Sequence, residues 1–204
     1  MGSFVTRKYI CDYGYELDGV IIMGTGHQPT PMVLAGKALA DITRFIKGDR
    51  YRSRLISKIM FGAYNKRIKN VRTSNDWLTR DETVVDEYNA GKLTTFLFTV
   101  NGYRGLMNMI LYVRKPRNIA KIPKNLPMLM VSGLDDPVGE YGKGVYRAYN
   151  TYHGHIDDID LRLFEDCRHE LCNELNKEEI YEEIYGWIVA VSYTHLTLPT
   201  TPYV

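Results

Sequence analysis

Three short apolar runs constrain what this chain can fold into more than any other feature. They are Gly19-Val20-Ile21-Ile22-Met23-Gly24, Pro127-Met128-Leu129-Met130-Val131-Ser132 and Ile159-Asp160-Leu161-Arg162-Leu163-Phe164. The first is continuous and closed by glycine, the pattern of a strand buried on both faces. Helical patterns separate the runs: Ser3 to Tyr13 precedes the first, Gly142 to His153 lies between the second and third, and a last helix begins after Asn176, placed to cap it with Glu179 at the third position. Strands alternating with helices predict an α/β fold with a parallel sheet. Such sheets take their ligands at the carboxyl ends of the strands.

From Pro29 to about Arg117 the character changes to a series of amphipathic helices, over Pro31 to Lys47, Tyr51 to Tyr64, Arg80 to Asn89 and Gly102 to Tyr112. Thr79-Arg80-Asp81-Glu82 reads as a capping box for the third. The predicted organisation is therefore a core from residues 1–27 and 118–190, interrupted by a helical insertion over 28–117.

Composition excludes several classes of function. Lys plus Arg number 26 against 24 Asp plus Glu, a net charge of +2 that gives no field for binding nucleic acid or an acidic membrane. No apolar run approaches the roughly 20 residues needed to span a bilayer. Three cysteines, Cys11, Cys167 and Cys172, are too few and too odd in number for a disulfide framework. A soluble cytoplasmic protein is the expectation.

Chemistry concentrates just beyond the second and third runs. Ser132-Gly133-Leu134-Asp135-Asp136-Pro137-Val138-Gly139 follows one, and Cys167-Arg168-His169-Glu170 follows the other. An acid on one strand-ending turn and a histidine on the next match the last two members of a Ser, Asp, His triad in that chain order. In such a triad a neutral imidazole takes the serine proton, and a buried carboxylate fixes its tautomer. His169 is the candidate base and Asp136 its orienter, because Pro137 restricts and stiffens Asp136; Asp135 is the alternative. No Gly-x-Ser-x-Gly elbow occurs in the chain to supply the nucleophile. A metal half-site at Cys167-x-His169-x-x-Cys172 lacks a second ligand pair, so neither metal nor cofactor is expected. Gly24-Thr25-Gly26 lacks the third glycine of a dinucleotide loop. A complete, non-catalytic α/β binding domain remains the reading from a different class.

Both ends bear on where the gene was cut. Met1-Gly2-Ser3-Phe4 is how a chain reads when it starts one residue after the nucleophile of a Gly-His-Ser-Met-Gly elbow. Residues 191–204 carry no charged side chain, and Val191 to Thr200 can be encoded by DNA resembling a transposase-end sequencing adapter. The expectation is a fragment that lacks its upstream part and carries a non-native tail.

On the acid turn, the histidine turn with Asn173-Glu174, and the Met1-Gly2-Ser3 start, residues 1 to about 189 resemble the α/β-hydrolase superfamily. Within it they resemble the bacterial lysophospholipases, monoacylglycerol lipases and serine aminopeptidase-like hydrolases. The resemblance implies the C-terminal part of that fold, strands six to eight, with residues 28–117 as the lid inserted after the sixth strand. It implies a serine hydrolase acting on an ester of small-molecule or lipid-like character, with peptide bonds or small acyl esters as alternatives. Asp136 and His169 match the family's acid and base. The backbone N–H of Met1 matches one oxyanion-hole donor, although in the chain as written Met1 carries a free amine. Phe96, Phe98, Tyr103, Leu106 and Met107 are candidates for lining an acyl pocket. Without its nucleophile the chain as written is expected to be inactive.

Overall fold

The computed structural model describes residues 1–196. Three parallel strands, β1 (Val20–Met23), β2 (Met128–Gly133) and β3 (Ile159–Phe164), form a sheet in the order β1-β2-β3. Val20 lies beside Met128 and Met23 beside Val131, while Met128 to Gly133 pair in step with Ile159 to Phe164. All six residues of the central strand are buried, as expected of a strand flanked on both edges and covered on both faces.

Alternation along the strands divides the core in two. On one face Val20, Ile22, Met128 and Met130 pack with Ile10 and Cys11 of α1 (Gly2–Tyr13) and with Ala148 and Tyr152 of α7 (Lys143–His153). On the other, Leu129 and Val131, with Ile21 and Met23, meet Ile180, Ile184 and Trp187 of α8 (Lys177–Leu196). The final helix thus continues past residue 190 to Leu196, and Val191 is buried near Gly19. Residues 197–204 of the expected tail lie outside the described residues.

Arg7 fastens α1 to this core. Its buried guanidinium donates to the Tyr152 hydroxyl at 2.9 Å, to Thr25 Oγ1 at 3.1 Å and to the Gly26 carbonyl at 2.9 Å, and it lies over the Phe4 and Tyr152 rings. Neutral acceptors and aromatic faces here satisfy a charge that would be costly to bury alone.

Between β1 and β2 run α2 (Thr30–Lys47), α3 (Arg54–Phe61), α4 (Glu82–Ala90), α5 (Val100–Tyr112) and the single turn α6 (Pro116–Ile119). Val33 of α2 and Leu106, Met107 and Ile110 of α5 form one apolar cluster that includes Phe4 of α1. Ala40, Ile56, Val100 and Tyr103 form a second.

Several helix ends depart from the sequence reading, those of α3 and α4 through their caps. Helix α3 starts at Arg54 rather than Tyr51, because the Ser53 hydroxyl accepts from the Ile56 N–H and so caps it; it stops at Gly62, leaving Tyr64–Arg67 as a separate 3₁₀ turn. Helix α4 is capped by Asp81, which accepts from the Thr83 and Val84 N–H groups, and not by Thr79. The Thr79 hydroxyl instead donates to the Asn173 carbonyl and accepts from the Asp81 N–H.

Candidate active site

The acid turn and the histidine turn meet because β2 and β3 are neighbours and both stop at the same end of the sheet. Two backbone bonds then lock the turns: Leu134 N–H to the Phe164 carbonyl at 2.8 Å and Asp135 N–H to the Cys167 carbonyl at 2.9 Å. Gly133 makes the approach possible, since a Cβ there would lie 2.0 Å from the Cys167 carbonyl oxygen.

Asp136 is fully buried. Its Oδ1 accepts from the Val138 N–H at 2.8 Å and its Oδ2 lies 2.9 Å from His169 Nδ1. Its own carbonyl accepts from the Tyr141 N–H at 2.9 Å, at the start of the left-handed stretch Glu140, Tyr141 and Gly142 that leads into α7. Asp135, the alternative acid, is exposed. Of the two adjacent carboxylates, only Asp136 reaches the imidazole.

His169 has one ring edge on Asp136 and presents a face to Trp77, with centroids 5.1 Å apart. Gly24 presses on the ring from β1: its φ is +58°, and a Cβ there would stand 3.0 Å from His169 Cε1. Gly24 thus makes room for the imidazole, while at Gly26 a Cβ would stand 2.3 Å from the Val138 carbonyl oxygen of the acid turn. Among the described residues no Ser, Thr or Cys side chain hydrogen-bonds the other ring nitrogen.

The imidazole opens on a cavity of about 820 Å³ that runs under the helical insertion. Met1, Trp77, Phe96, Phe98, Tyr103 and Leu106 line it, as do polar groups including Asn65, Asn75 and Asn89. Four of the five expected acyl-pocket residues are therefore in its wall. Met107 is not: it is buried between α2 and α5, with its Cε near Gly36. The Met1 amine shares the cavity with His169; burial lowers its pKa, and the Asp136 carboxylate pulls it partly back.

The cysteines stand apart from this chemistry. Cys167 is buried, its thiol donating to Asn176 Oδ1 at 3.3 Å, and burial pushes its pKa up. Cys172 Sγ lies 3.8 Å from Met23 Sδ. Among the described residues no group of three or more His, Cys, Asp or Glu side chains is arranged to hold a metal, and no helix is long and apolar enough to cross a membrane.

Trp77 is the contact that sequence reasoning missed. It sits in a loop far from His169 along the chain, and no local pattern marks it. Its T-shaped neighbour Tyr64, centroids 4.8 Å away, has a phenol pushed up to about 12 by burial, with a smaller push from Asp136.

Residues 1–176 match the family model described as serine aminopeptidase, S33. Among solved structures the chain is similar to a thermostable carboxyl esterase from Bacillus coagulans, with a TM-score of 0.84 at 22% identity, over 93% of this chain and 62% of that one. It is similar to a soluble variant of monoglyceride lipase from Saccharomyces cerevisiae, with a TM-score of 0.68 at 16% identity, over 93% and 62%. It is also similar to a monoacylglycerol lipase from Paleococcus ferrophilus, with a TM-score of 0.64 at 16% identity, over 93% and 65%. No curated protein matches the sequence. The chain thus spans less than two thirds of the length of these structures, and the sheet with its flanking helices is part of the fold they share. With more than half of its residues matched by the family model, the chain belongs to the serine aminopeptidase S33 family of α/β-hydrolases.

Proposed function

We propose that this chain is the lid-bearing C-terminal part of a serine ester hydrolase of the monoacylglycerol lipase or lysophospholipase type, with Asp136 and His169 as the acid and base of a Ser-Asp-His triad. The observation that carries the reading is the 2.9 Å Asp136–His169 pair, set beyond the carboxyl ends of two adjacent strands and open to the cavity that Met1 also lines. With Nδ1–H donated to Asp136 Oδ2, the neutral imidazole keeps Nε2 as an acceptor, which is the tautomer a general base needs. Asp136 then stabilises the imidazolium that forms when a hydroxyl gives up its proton.

The reading places the nucleophilic serine immediately ahead of Met1, at the amino end of α1. Met1 within a longer chain would offer a backbone N–H to the oxyanion, and the positive end of the α1 dipole would favour the developing charge. The cavity beneath the helical insertion, aromatic and aliphatic along Phe96, Phe98, Tyr103 and Leu106, suits an acyl chain, and the insertion serves as the lid. The ester named here agrees with the esterase and lipases to which the chain is similar.

The test is hydrolysis of p-nitrophenyl esters and of aminoacyl p-nitroanilides by the full-length protein. Ester turnover is expected, with kcat/KM falling about a thousand-fold or more in His169→Ala and in Asp136→Asn. Wild-type turnover in His169→Ala sinks the triad. Preference for the anilide replaces the ester hydrolase by a peptidase on the same fold.

A further inference from the structure

Glu174 is a carboxylate with no exposed side-chain surface, and the pair at Asp136 and His169 does not use it. It accepts four kinds of N–H: the Arg168 backbone at 2.7 Å, the Arg80 backbone at 3.3 Å, Arg80 Nε at 2.9 Å and the Leu175 backbone at 3.4 Å. Two of these come from the helical insertion and two from the histidine turn. The grip is reciprocal. Arg168 reaches back to donate to the carbonyls of Asp76 at 2.6 Å and Thr79 at 2.9 Å, and the Glu170 N–H donates to the Leu78 carbonyl at 2.7 Å.

The backbone N–H groups on both sides of His169 are therefore fixed from outside its own turn, that of Arg168 by Glu174 and that of Glu170 by Leu78. Between the clamped ends of the segment, Trp77 is held against the imidazole. Asp136 fixes one nitrogen of His169 and Gly24 bounds the ring on the β1 side, but these two contacts leave it free to tilt toward the insertion. Trp77 and the backbone clamp remove that freedom, and their geometry depends on a buried charge that needs all its partners.

We propose that Glu174 is a positioning residue for the reaction: it locks the insertion segment Asp76–Arg80 to the histidine turn, so that Trp77 and the turn backbone set the His169 imidazole. This rests on the reading of His169 as the general base. A base displaced by a fraction of an ångström loses rate without losing substrate affinity.

The test uses the full-length protein in a Trp187→Phe background. The fluorescence of Trp77 is followed there beside that of Trp187→Phe,Trp77→Phe, which subtracts any tryptophan outside this chain. In Glu174→Gln, kcat is expected to fall about ten-fold with KM unchanged within about two-fold, while acrylamide quenching of Trp77 rises. Arg80→Gln, whose side chain is partly exposed, is expected to move both readouts the same way and serves should Glu174→Gln fail to fold. Wild-type kcat and quenching in either folded variant, even with a lowered Tm, overturn the proposal by reducing Glu174 to a stabilising group. That result is distinct from failure of the triad, which would show as full activity in His169→Ala.

Discussion

His27 follows β1 in a neighbourhood of positive charge. Burial is the largest cause and Arg114, Arg7 and Arg147 add to it; together they hold its pKa down to about 4 from an ordinary 6.5. In the unfolded chain the same imidazole binds its proton near 6.5, so between about pH 6.5 and pH 4 the unfolded state carries more protons than the folded one. The contribution is fully present above pH 6.5 and is lost as pH falls through that window. Asp12 and Asp41, held below their usual 3.8 by Lys8 and Lys37, lose their contributions only at lower pH. Thermal unfolding should therefore show Tm falling from pH 7 to pH 4.5 in the wild type and falling less in His27→Gln. Parallel slopes for the two proteins would remove His27 from the account.

At the scale of elements, α4 shows how side-chain chemistry and tertiary contact divide the decision about where a helix begins. Asp81 satisfies two of the orphan N–H groups of its first turn, while Glu82 is exposed with its carboxylate 3.4 Å from Arg72. Asp81→Ala should cost about 1 kcal/mol in a urea titration, and Glu82→Ala at most a few tenths of that, because exposed ion pairs contribute little. Equal losses would contradict the assignment of the cap. The motif Thr79-x-x-Glu82 was legible in the sequence, but its hydroxyl was claimed by Asn173, which no local pattern reveals. The strands were legible almost to the residue because short apolar runs bounded by turn-forming residues are local signals. So was the pairing of Asp136 with His169, which follows from two adjacent strands ending together. Trp77 and the Glu174 clamp were not, since they depend on how the insertion folds back over a turn some ninety residues away along the chain.

For the whole molecule, the two edges of the sheet differ in a way that sets how the chain behaves in solution. Strand β3 carries its own protection: Asp160 and Arg162 lie on it 3.5 Å apart, and Arg162 also reaches Glu183 of α8 at 3.6 Å. Charges of this kind discourage a second strand from pairing there. Strand β1 is Val20-Ile21-Ile22-Met23, without a charge, and among the described residues its only strand neighbour is β2. The Val20 and Gly24 N–H groups point to β2, at 2.9 Å from the Pro127 carbonyl and 3.0 Å from the Val131 carbonyl. By alternation the Ile21 and Met23 N–H groups face the outer edge, a short apolar template for another chain. The 204-residue polypeptide expressed alone should accordingly self-associate, eluting from a sizing column as larger species whose share grows with concentration. Where residues added ahead of Met1 supply a neighbouring strand for β1, the longer chain should elute as one discrete species. If the 204-residue polypeptide is monodisperse across a hundred-fold range of concentration, the outer edge of β1 is covered by something other than a strand.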